Sequence, residues 1–137
     1  TAAAEHADAI GWRMENMVPL AWALGNDTPP RIDGEMIGGE ELRHILMTFA
    51  PSSAADLDRM LADTTQRPAA VLLAMADLFY CCHNAVRGSQ FSEPDDPPTV
   101  PAGFDPIVNG GVIHERRHAL TWMHSPGVAW EDTDLST

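Results

Sequence analysis

The sequence contains no lysine, so its positive side chains at neutral pH are eight arginines. Against these stand 20 acidic residues, which give the chain a formal net charge of −12. This charge repels nucleic-acid phosphates and anionic membrane surfaces, and it speeds encounter with a basic protein. The sequence therefore predicts no nucleic-acid partner and no membrane partner. A solubilising surface is one interpretation of the charge, and attraction of a basic protein is the other.

Cysteine is scarce as well. The two that occur, Cys81 and Cys82, are adjacent, and neighbours on a helix point about 100° apart, which prevents a bond between them. A chain without a disulfide framework is typical of the reducing cytoplasm, so we expect a cytoplasmic protein. The pair lacks a matching second pair of metal ligands, and the sequence predicts no cofactor.

Long hydrophobic runs and strand patterns are missing too. No apolar run approaches the roughly 20 residues that cross a bilayer, so no membrane span is expected. No segment alternates with period two, which argues against strands. With 137 residues, 45% of them hydrophobic, the composition predicts one compact all-α domain over residues 1–137. The chain begins at Thr1 without a methionine, so we expect a removed leader or a piece of a longer protein.

About five helices are predicted in this domain. The first is expected from near Glu5 to Leu24, with Gly25 as its C-terminal cap. Pro19 lacks a backbone N–H and should kink or divide this helix. Its apolar stripe contains Ile10, Met14, Met17, Ala21 and Leu24.

The next two helices are short. One is expected from Glu40 to Phe49. The other follows Pro51, where Ser53 can cap the chain and Asp56 completes a capping-box-like start. The residues predicted to face inward are Leu42, Ile45, Leu46 and Phe49 in the former, and Leu57, Met60 and Leu61 in the latter.

The strongest helical pattern spans Pro68 to Arg87 and predicts the central helix. Proline is favourable in the first turn, because its missing N–H would have no intrahelical partner there. The inward stripe is predicted to contain Val71, Met75, Leu78, Cys82 and Val86, widened by Leu72 and Phe79, with Asp77, Cys81 and Asn84 opposite.

A proline-rich loop is predicted at residues 88–106, and it is long for a compact domain. We expect it to be a strap over the surface, with a partner-binding or site-covering segment as the alternative. Asp105 and Pro106 could start the last helix, but Asn109, Gly110 and Gly111 interrupt the pattern after them. The regular part of this helix is therefore predicted from Val112 to His124. Residues 125–137 are expected to form an acidic C-terminal tail.

The last helix contains the string HERRHALTWMH, a His-Glu-x-x-His pattern with a third histidine six places further on. This arrangement is close to the ligand signature of the metzincin zinc proteases. His114 and His118 share a helix face and could bind one metal, with Glu115 polarising a bound water. The string taken alone indicates a zinc-dependent hydrolase.

The third histidine argues against that hypothesis. Six residues beyond His118 on an unbroken helix correspond to a rotation of about 600°, which carries His124 away from the other two. Metzincins end the helix with a glycine, whereas this chain has Thr121, a β-branched residue that resists left-handed geometry. We therefore expect no metal site, and His114, His118 and His124 are only weak candidates.

A charged residue on the apolar face of this helix needs another explanation. Arg116 falls among apolar side chains, where a guanidinium requires a carboxylate or a route to water. We expect Arg116 to pair with Glu15 of the first helix and Arg13 to pair with Glu115. A small-ligand pocket built from the same groups is the alternative.

Four blocks of the sequence resemble one family. They are GWRMENMVPLAWALG (11–25), RPAAVLLAMADLFYCCHNAVR (67–87), GVIHERRHALTWM (111–123) and WEDTD (130–134). In this order they resemble the bacterial family of unknown function numbered 4272, and the resemblance extends from Trp12 to Asp134. Asn84 stands where the family often has tryptophan, and the Ile-Val-Asn-Gly after Pro106 looks inserted.

The resemblance implies a set of signature residues but no activity. Because the family pattern centres on Glu-Arg rather than on His-Glu-x-x-His, it implies that His114 is incidental. The signature falls on Trp12, Arg13, Glu15, Trp22, His83, Glu115, Arg116, Trp122, Trp130 and Asp132.

Three functions remain open on these patterns. We expect a non-catalytic helical module that binds another protein, either as an accessory subunit of a hetero-complex or as a homo-oligomer. The alternative is a ligand or enzyme site at the signature residues, where arginines suit a carboxylate or phosphate and His83 could move a proton. A zinc hydrolase is the third.

Overall fold

The structure is a computed structural model that describes residues 12–137. Within this range the regular elements are all helical and no strand occurs, which confirms the all-α prediction. The α-helices are α1 (Met17–Ala23), α2 (Gly39–Phe49), α3 (Ala54–Asp63), α4 (Ala69–Gln90) and α5 (Val108–Met123), with 3-10 turns at Met14–Asn16 and Trp130–Asp132.

The predicted first helix is divided ahead of Pro19, and its part before Trp12 lies outside the described residues. The 3-10 turn precedes α1 because Pro19 has no N–H to bond the carbonyl of Glu15, and its ring crowds that carbonyl. Gly25 follows α1 with a φ of 110°, a conformation that favours glycine. The predicted C-terminal cap is therefore confirmed.

The centre of the molecule is the contact between α4 and α5, the most extensive helix pair in the described chain. Phe79 and Val86 of α4 meet Ile113 and Leu120 of α5 in a buried apolar cluster. α1 packs on α5 beside this cluster, and α2 packs on α1. A second cluster joins these last two helices through Val18, Ala21 and Ile45.

The last helix begins at Val108 rather than at Val112. Asp105 caps it, because its carboxylate accepts the N–H groups of Ile107 at 2.8 Å and Val108 at 2.9 Å. These amides would otherwise lack an acceptor at the start of the helix. The hydrogen bonds from Val108 and Ile107 also lower the pKa of Asp105.

Gly110 and Gly111 were expected to interrupt α5, but both lie inside it. Glycine is needed at these positions because neighbouring side chains occupy the space that a Cβ would fill. A Cβ at Gly110 would lie 2.6 Å from Val86 Cγ1. A Cβ at Gly111 would lie 1.1 Å from the ring of Trp12. The glycines therefore allow close packing against α4 and Trp12, which outweighs their low helix propensity.

The proline-rich segment begins after Gln90, where α4 ends, rather than at residue 88. It lies over α4 as the expected strap, which we define as residues 91–107. Thr99 Oγ1 donates to the carbonyl of Ala85 at 2.7 Å. Val100 and Phe104 of the strap pack against the α4–α5 cluster.

Several side chains that were predicted to face inward are exposed. α3 buries none of its residues, and Ile45 is the buried residue of α2. The buried side of α4 faces α5, so its flank turns toward solvent. The period of a stripe predicts that a helix is amphipathic, but it does not say which neighbour covers the stripe. The exposed members are Leu46, Leu57, Leu61, Val71 and Leu78.

The expectation that no apolar segment is long enough to cross a bilayer is wrong for α4. It is 22 residues long with a mean hydropathy of 1.5, so by length and composition it could cross a membrane. A mostly buried core helix meets the same criterion, whereas 22% of the apolar window of α4 is buried. Here α4 makes the main core contact with α5 and carries a buried histidine, His83.

Candidate functional site

The predicted ion pair between Arg116 and Glu15 is present and buried. Nη2 and Nε of Arg116 donate to Glu15 Oε2 at 2.7 and 3.0 Å. The side chains are 3% and 0% exposed. A pair removed from water in this way needs further hydrogen bonds to its remaining donors and acceptors.

Those bonds come from the linker between α1 and α2, residues 24–38. Arg116 donates to the carbonyls of Arg31 and Glu35, the latter at 2.8 Å. Glu15 Oε1 accepts the N–H of Ile37 at 2.7 Å. Because these bonds are internal, the pair fastens α1, the linker and α5 together and does not present its charges to a ligand.

The second predicted ion pair, Arg13 with Glu115, does not form. Arg13 is exposed, and Glu115 Oε2 accepts a hydrogen bond from Asn16 Nδ2 at 2.8 Å. The 3-10 turn explains the difference, because its tighter winding places Asn16 rather than Arg13 against α5. Asn16 Oδ1 is buried and has no hydrogen-bond partner within the described range.

Trp22 belongs to a separate contact between the end of α1 and the start of α4. The guanidinium of Arg67 lies 4.7 Å from the centre of the Trp22 ring. Arg67 also donates to the carbonyl of Trp22 at 2.7 Å and to that of Asn26 at 2.6 Å. Trp22 is therefore part of the packing between these helices.

His83 lies in a group formed by α4, α5 and the C-terminal segment. Arg117 Nη1 donates to His83 Nδ1. The same guanidinium donates to the carbonyls of Leu135 and Ser136, both at 2.9 Å, and lies 5.0 Å from the centre of the Tyr80 ring. Although Arg117 is 3% exposed, it forms no salt bridge with any residue that the structure describes.

The surroundings keep His83 neutral. Burial lowers its pKa to about 4, and the positive charge of Arg117, together with His114 and Arg87, acts in the same direction. Because Nδ1 accepts from Arg117, the ring proton is on Nε2, which faces His114 Nδ1 at 3.4 Å. Burial also lowers the pKa of His114.

The two histidines border a cavity of about 220 Å³ between α4 and α5. Trp12 lies against Gly111 and forms one wall of this cavity. The cavity thus brings together two signature residues, Trp12 and His83, while the others lie elsewhere. Its remaining lining residues are Arg87, Gln90, Ile107 and Gly110.

The three histidines of the zinc hypothesis do not converge. α5 stays wound past Thr121, so its imidazoles contact different neighbours. His114 faces α4, and His118 Nε2 donates to the carbonyl of Trp130 at 2.8 Å. His124 Nε2 is buried without a hydrogen-bond partner in the described part of the chain. No three His, Cys, Asp or Glu side chains form a metal-binding group in that part.

Two of the remaining signature residues, Trp122 and Trp130, form an aromatic group with His118 near the end of the chain. The ring of Trp130 stacks on His118 at 4.1 Å, and Trp122 lies 5.4 Å from Trp130. Trp122 Nε1 donates to the carbonyl of Val128 at 3.2 Å, whereas Asp132 is exposed. The acidic tail is therefore folded back onto α5.

A larger cavity, of about 410 Å³, lies between α4, the strap and the linker. On α4, Leu78 precedes Cys82 by four residues and Val71 precedes Leu78 by seven, so all three lie on one flank of the helix. We call this cavity and flank the α4 groove, which comprises Val71, Leu78, Cys82 and Ala85 of α4, Val100 and Phe104 of the strap, and Asp33 and Glu35 of the linker.

Sequence reasoning missed the role of Arg117. This residue follows Ile113 by four positions and precedes Leu120 by three, the same helical spacing that drew attention to Arg116. The signal for burial was therefore available. Its partners, the carbonyls of Leu135 and Ser136, have no sequence signature because any residue offers a carbonyl.

Residues 1–133 match the sequence model of a family described as a domain of unknown function, DUF4272. The match covers almost the whole chain of 137 residues, and it confirms the family indicated by the four sequence blocks. No curated protein and no solved structure matches the chain. The chain belongs to the DUF4272 family.

Proposed function

We propose that this protein is a non-catalytic interaction module whose α4 groove binds a basic amphipathic helix of another protein. The exposed apolar flank of α4 is the observation that carries the proposal. Val71 and Leu78 are 43% and 42% exposed, although they lie on the central helix of the fold. A contiguous apolar face bordered by charge is typical of a protein-binding surface.

The shape of the groove suits a helix. From Val71 to Ala85 the flank is about 21 Å long at 1.5 Å per residue, which matches about four turns of a partner helix. Apolar side chains at positions i, i+3 and i+7 of the partner helix would pack against Leu78 and enter the cavity beside Cys82. The strap supplies the opposite wall through Val100 and Phe104.

Charge selects the kind of partner. The chain carries a net charge of −12, and Asp33 and Glu35 line the groove. Arg31 pairs with both carboxylates, but its single positive charge offsets only one of them. A second copy of this chain would bring like charge to the same rim, whereas a helix rich in lysine or arginine is attracted to it.

A larger cavity between α2 and α3 is a weaker candidate for a helix. Its volume is about 610 Å³, but its lining contains several charged and hydroxyl side chains. Helix recognition depends on apolar anchors that enter a hydrophobic groove, so the α4 groove is preferred to this cavity. The polar lining residues are Ser52, Asp56, Arg59, Asp63, Thr48, Thr64 and Thr65. A third cavity of about 400 Å³, beside Met17, Phe49 and Met123, is also apolar, but none of the described residues that line it is acidic, so it lacks the charge that attracts a basic helix.

The separation of the signature residues supports binding over catalysis at those positions. Glu15 and Arg116 bond to each other and to the linker. Glu115 bonds to Asn16, and Trp22 packs with Arg67. An enzyme site needs its reacting groups gathered around one substrate position, and these groups face separate neighbours.

Calorimetric titration with a designed peptide tests the proposal. The probe is a helical peptide of about 16 residues with leucines at i, i+3 and i+7 and lysines on its other face. The double variant Val71→Asp with Leu78→Asp should weaken binding at least about tenfold, because it places charge in the apolar contact. Leu61→Asp, an exposed leucine of α3, is the matched control and should leave binding unchanged.

Three results would overturn the proposal. The first is equal binding of a peptide with the same composition and scrambled leucines. The second is unchanged affinity in the Val71→Asp, Leu78→Asp variant, provided that circular dichroism shows its helices intact. The third is a stable homodimer in native mass spectrometry that this variant dissociates, because a second copy would then occupy the groove.

A further inference from the structure

We propose that the cavity formed by Trp12, His83, Arg87 and His114 binds a small organic carboxylate. This site lies between α4 and α5, on lining residues that the α4 groove does not share. The proposal is therefore independent of helix binding and can succeed or fail separately from it.

One side of the cavity is an apolar slot. The indole of Trp12 lies so close to α5 that a Cβ at Gly111 would be 1.1 Å from its ring. Gly110 and Gly111 border the cavity beside this aromatic wall, with Val86 packed on Gly110, and Ile107 extends the apolar surface. Such a slot accepts a flat or branched hydrocarbon group.

The other side of the cavity carries hydrogen-bond donors. Arg87 Nη1 donates to Gln90 Oε1 at 2.7 Å, which uses one of the five N–H groups of a guanidinium. Gln90 is itself held by a bond from Nε2 to the carbonyl of Pro106 at 2.8 Å. The guanidinium also lies 4.5 Å from the centre of the Phe91 ring. Arg87 is therefore oriented by Gln90 and Phe91, and it retains N–H groups for a carboxylate, which arginine recognises in a bidentate manner.

His83 adds a second donor. Its Nδ1 accepts from Arg117, so its proton is on Nε2 on the side of His114. The 3.4 Å separation from His114 Nδ1 is longer than the 2.7–3.2 Å of a good hydrogen bond, so this N–H is only weakly engaged. Because the pKa of His83 is lowered to about 4, the ring is a neutral donor at physiological pH.

The balance of charge indicates a monoanion. Arg87 is the cation in the lining, and no aspartate or glutamate is among the described residues that border the cavity. The chain as a whole is strongly acidic, with 20 acidic residues against eight arginines. An acid-free cavity with one guanidinium and a neutral imidazole donor complements a single carboxylate better than a phosphate dianion.

The size of the cavity limits the ligand. Its volume of about 220 Å³ is below the roughly 300–1,000 Å³ of sites for drug-sized molecules. The ligand class is therefore a metabolite-sized carboxylate with one ring or a short branched chain, the hydrocarbon against Trp12 and the carboxylate at Arg87.

Nuclear magnetic resonance titration of the full chain with benzoate tests this site. We expect saturable shifts of the Gly110 and Gly111 amides and of the Trp12 indole N–H, with benzamide as the neutral control that binds far more weakly. Arg87→Gln should weaken benzoate binding about tenfold, because it removes the charged partner. Arg43→Gln, an exposed arginine of α2, is the matched control and should change nothing.

Each alternative outcome overturns the proposal. Absence of shifts at benzoate concentrations up to about 10 mM would exclude even a weak site. Equal binding of benzamide, or unchanged affinity in Arg87→Gln, would mean that the slot binds hydrocarbon without recognising a carboxylate. Binding of inorganic phosphate at the same amides in preference to benzoate would assign the cavity to a different anion. Trp12→Leu is a second variant, and it should weaken benzoate binding because it removes the aromatic wall.

Discussion

Glu15 and Arg116 are 101 positions apart in the chain, and their side chains meet in the interior with an N–O distance of 2.7 Å. Arg116 also bonds to the carbonyls of Arg31 and Glu35, while Glu15 holds the N–H of Ile37. This pair therefore positions the linker, and with it the acidic rim of the α4 groove.

Arg116→Met should destabilise the fold by about 3–5 kcal/mol, because it leaves the carboxylate of Glu15 buried without a cation. Urea unfolding measures the loss. The double variant Glu15→Met with Arg116→Met removes both charges and should be more stable than the single variant. Arg43→Met on the surface should change stability by no more than about 0.5 kcal/mol. A double variant less stable than Arg116→Met would contradict this account of the pair.

Stability should fall between about pH 6.5 and pH 4 because of His83. Its folded-state pKa of about 4 lies below the ordinary value of 6.5, so the unfolded chain takes up the proton first as the pH falls. The stabilisation is therefore complete above about pH 6.5 and is lost as the pH falls toward 4. The lowered pKa of His114 acts in the same direction.

Unfolding free energies measured from pH 7 to pH 4.5 check this prediction. His83→Asn keeps a neutral acceptor for Arg117 and should reduce the slope of stability against pH. Met47→Ala, at an exposed residue of α2 without a titratable group, should leave the slope unchanged. An identical slope in His83→Asn and the parent protein would show that His83 does not titrate as described.

Gly111→Ala should displace Trp12 and cost about 1–3 kcal/mol, because the new Cβ would overlap the indole. Near-ultraviolet circular dichroism should report the altered tryptophan environment, and chemical unfolding the loss of stability. Gly39→Ala is the matched control in α2, since nothing lies within 4 Å of its Cβ position. Full stability and an unchanged spectrum in Gly111→Ala would mean that Trp12 does not pack on α5.

Zinc should not stabilise the protein. His118 Nε2 donates to the carbonyl of Trp130, and His114 faces α4, so neither is turned toward a shared ion. Thermal unfolding with and without stoichiometric zinc, on protein without a histidine tag, is the measurement. A zinc-dependent rise in Tm that disappears in His114→Asn with His118→Asn would revive the metal hypothesis.

Local features could be predicted from the sequence because they depend on neighbouring residues. Ser53 caps α3 as expected, with its Oγ accepting the N–H of Asp56 at 3.1 Å. Gly25 ends α1 for the same kind of reason. The ion pair between Arg116 and Glu15 could also be predicted, because a guanidinium on an apolar stripe needs a carboxylate on the facing helix.

Features that depend on packing between distant parts of the chain could not be predicted from the sequence. Gly110 and Gly111 lie inside α5, where Val86 packs on Gly110 and Trp12 packs on Gly111. Helix propensity alone treats such glycines as breaks. The α4 flank at Leu78 was expected inside because its spacing is that of a core stripe, but α3 does not cover it. Which side of a helix lies uncovered depends on the other helices, and this uncovered side is the basis of the proposed function.

Chemical-shift mapping of the protein with a saturating basic amphipathic helix tests the central claim most directly. The account predicts changes concentrated at Val71, Leu78, Cys82 and Ala85 and at strap residues 99–104, with α3 unaffected. Changes confined to α3 or to the C-terminal segment, with none along α4, would contradict it.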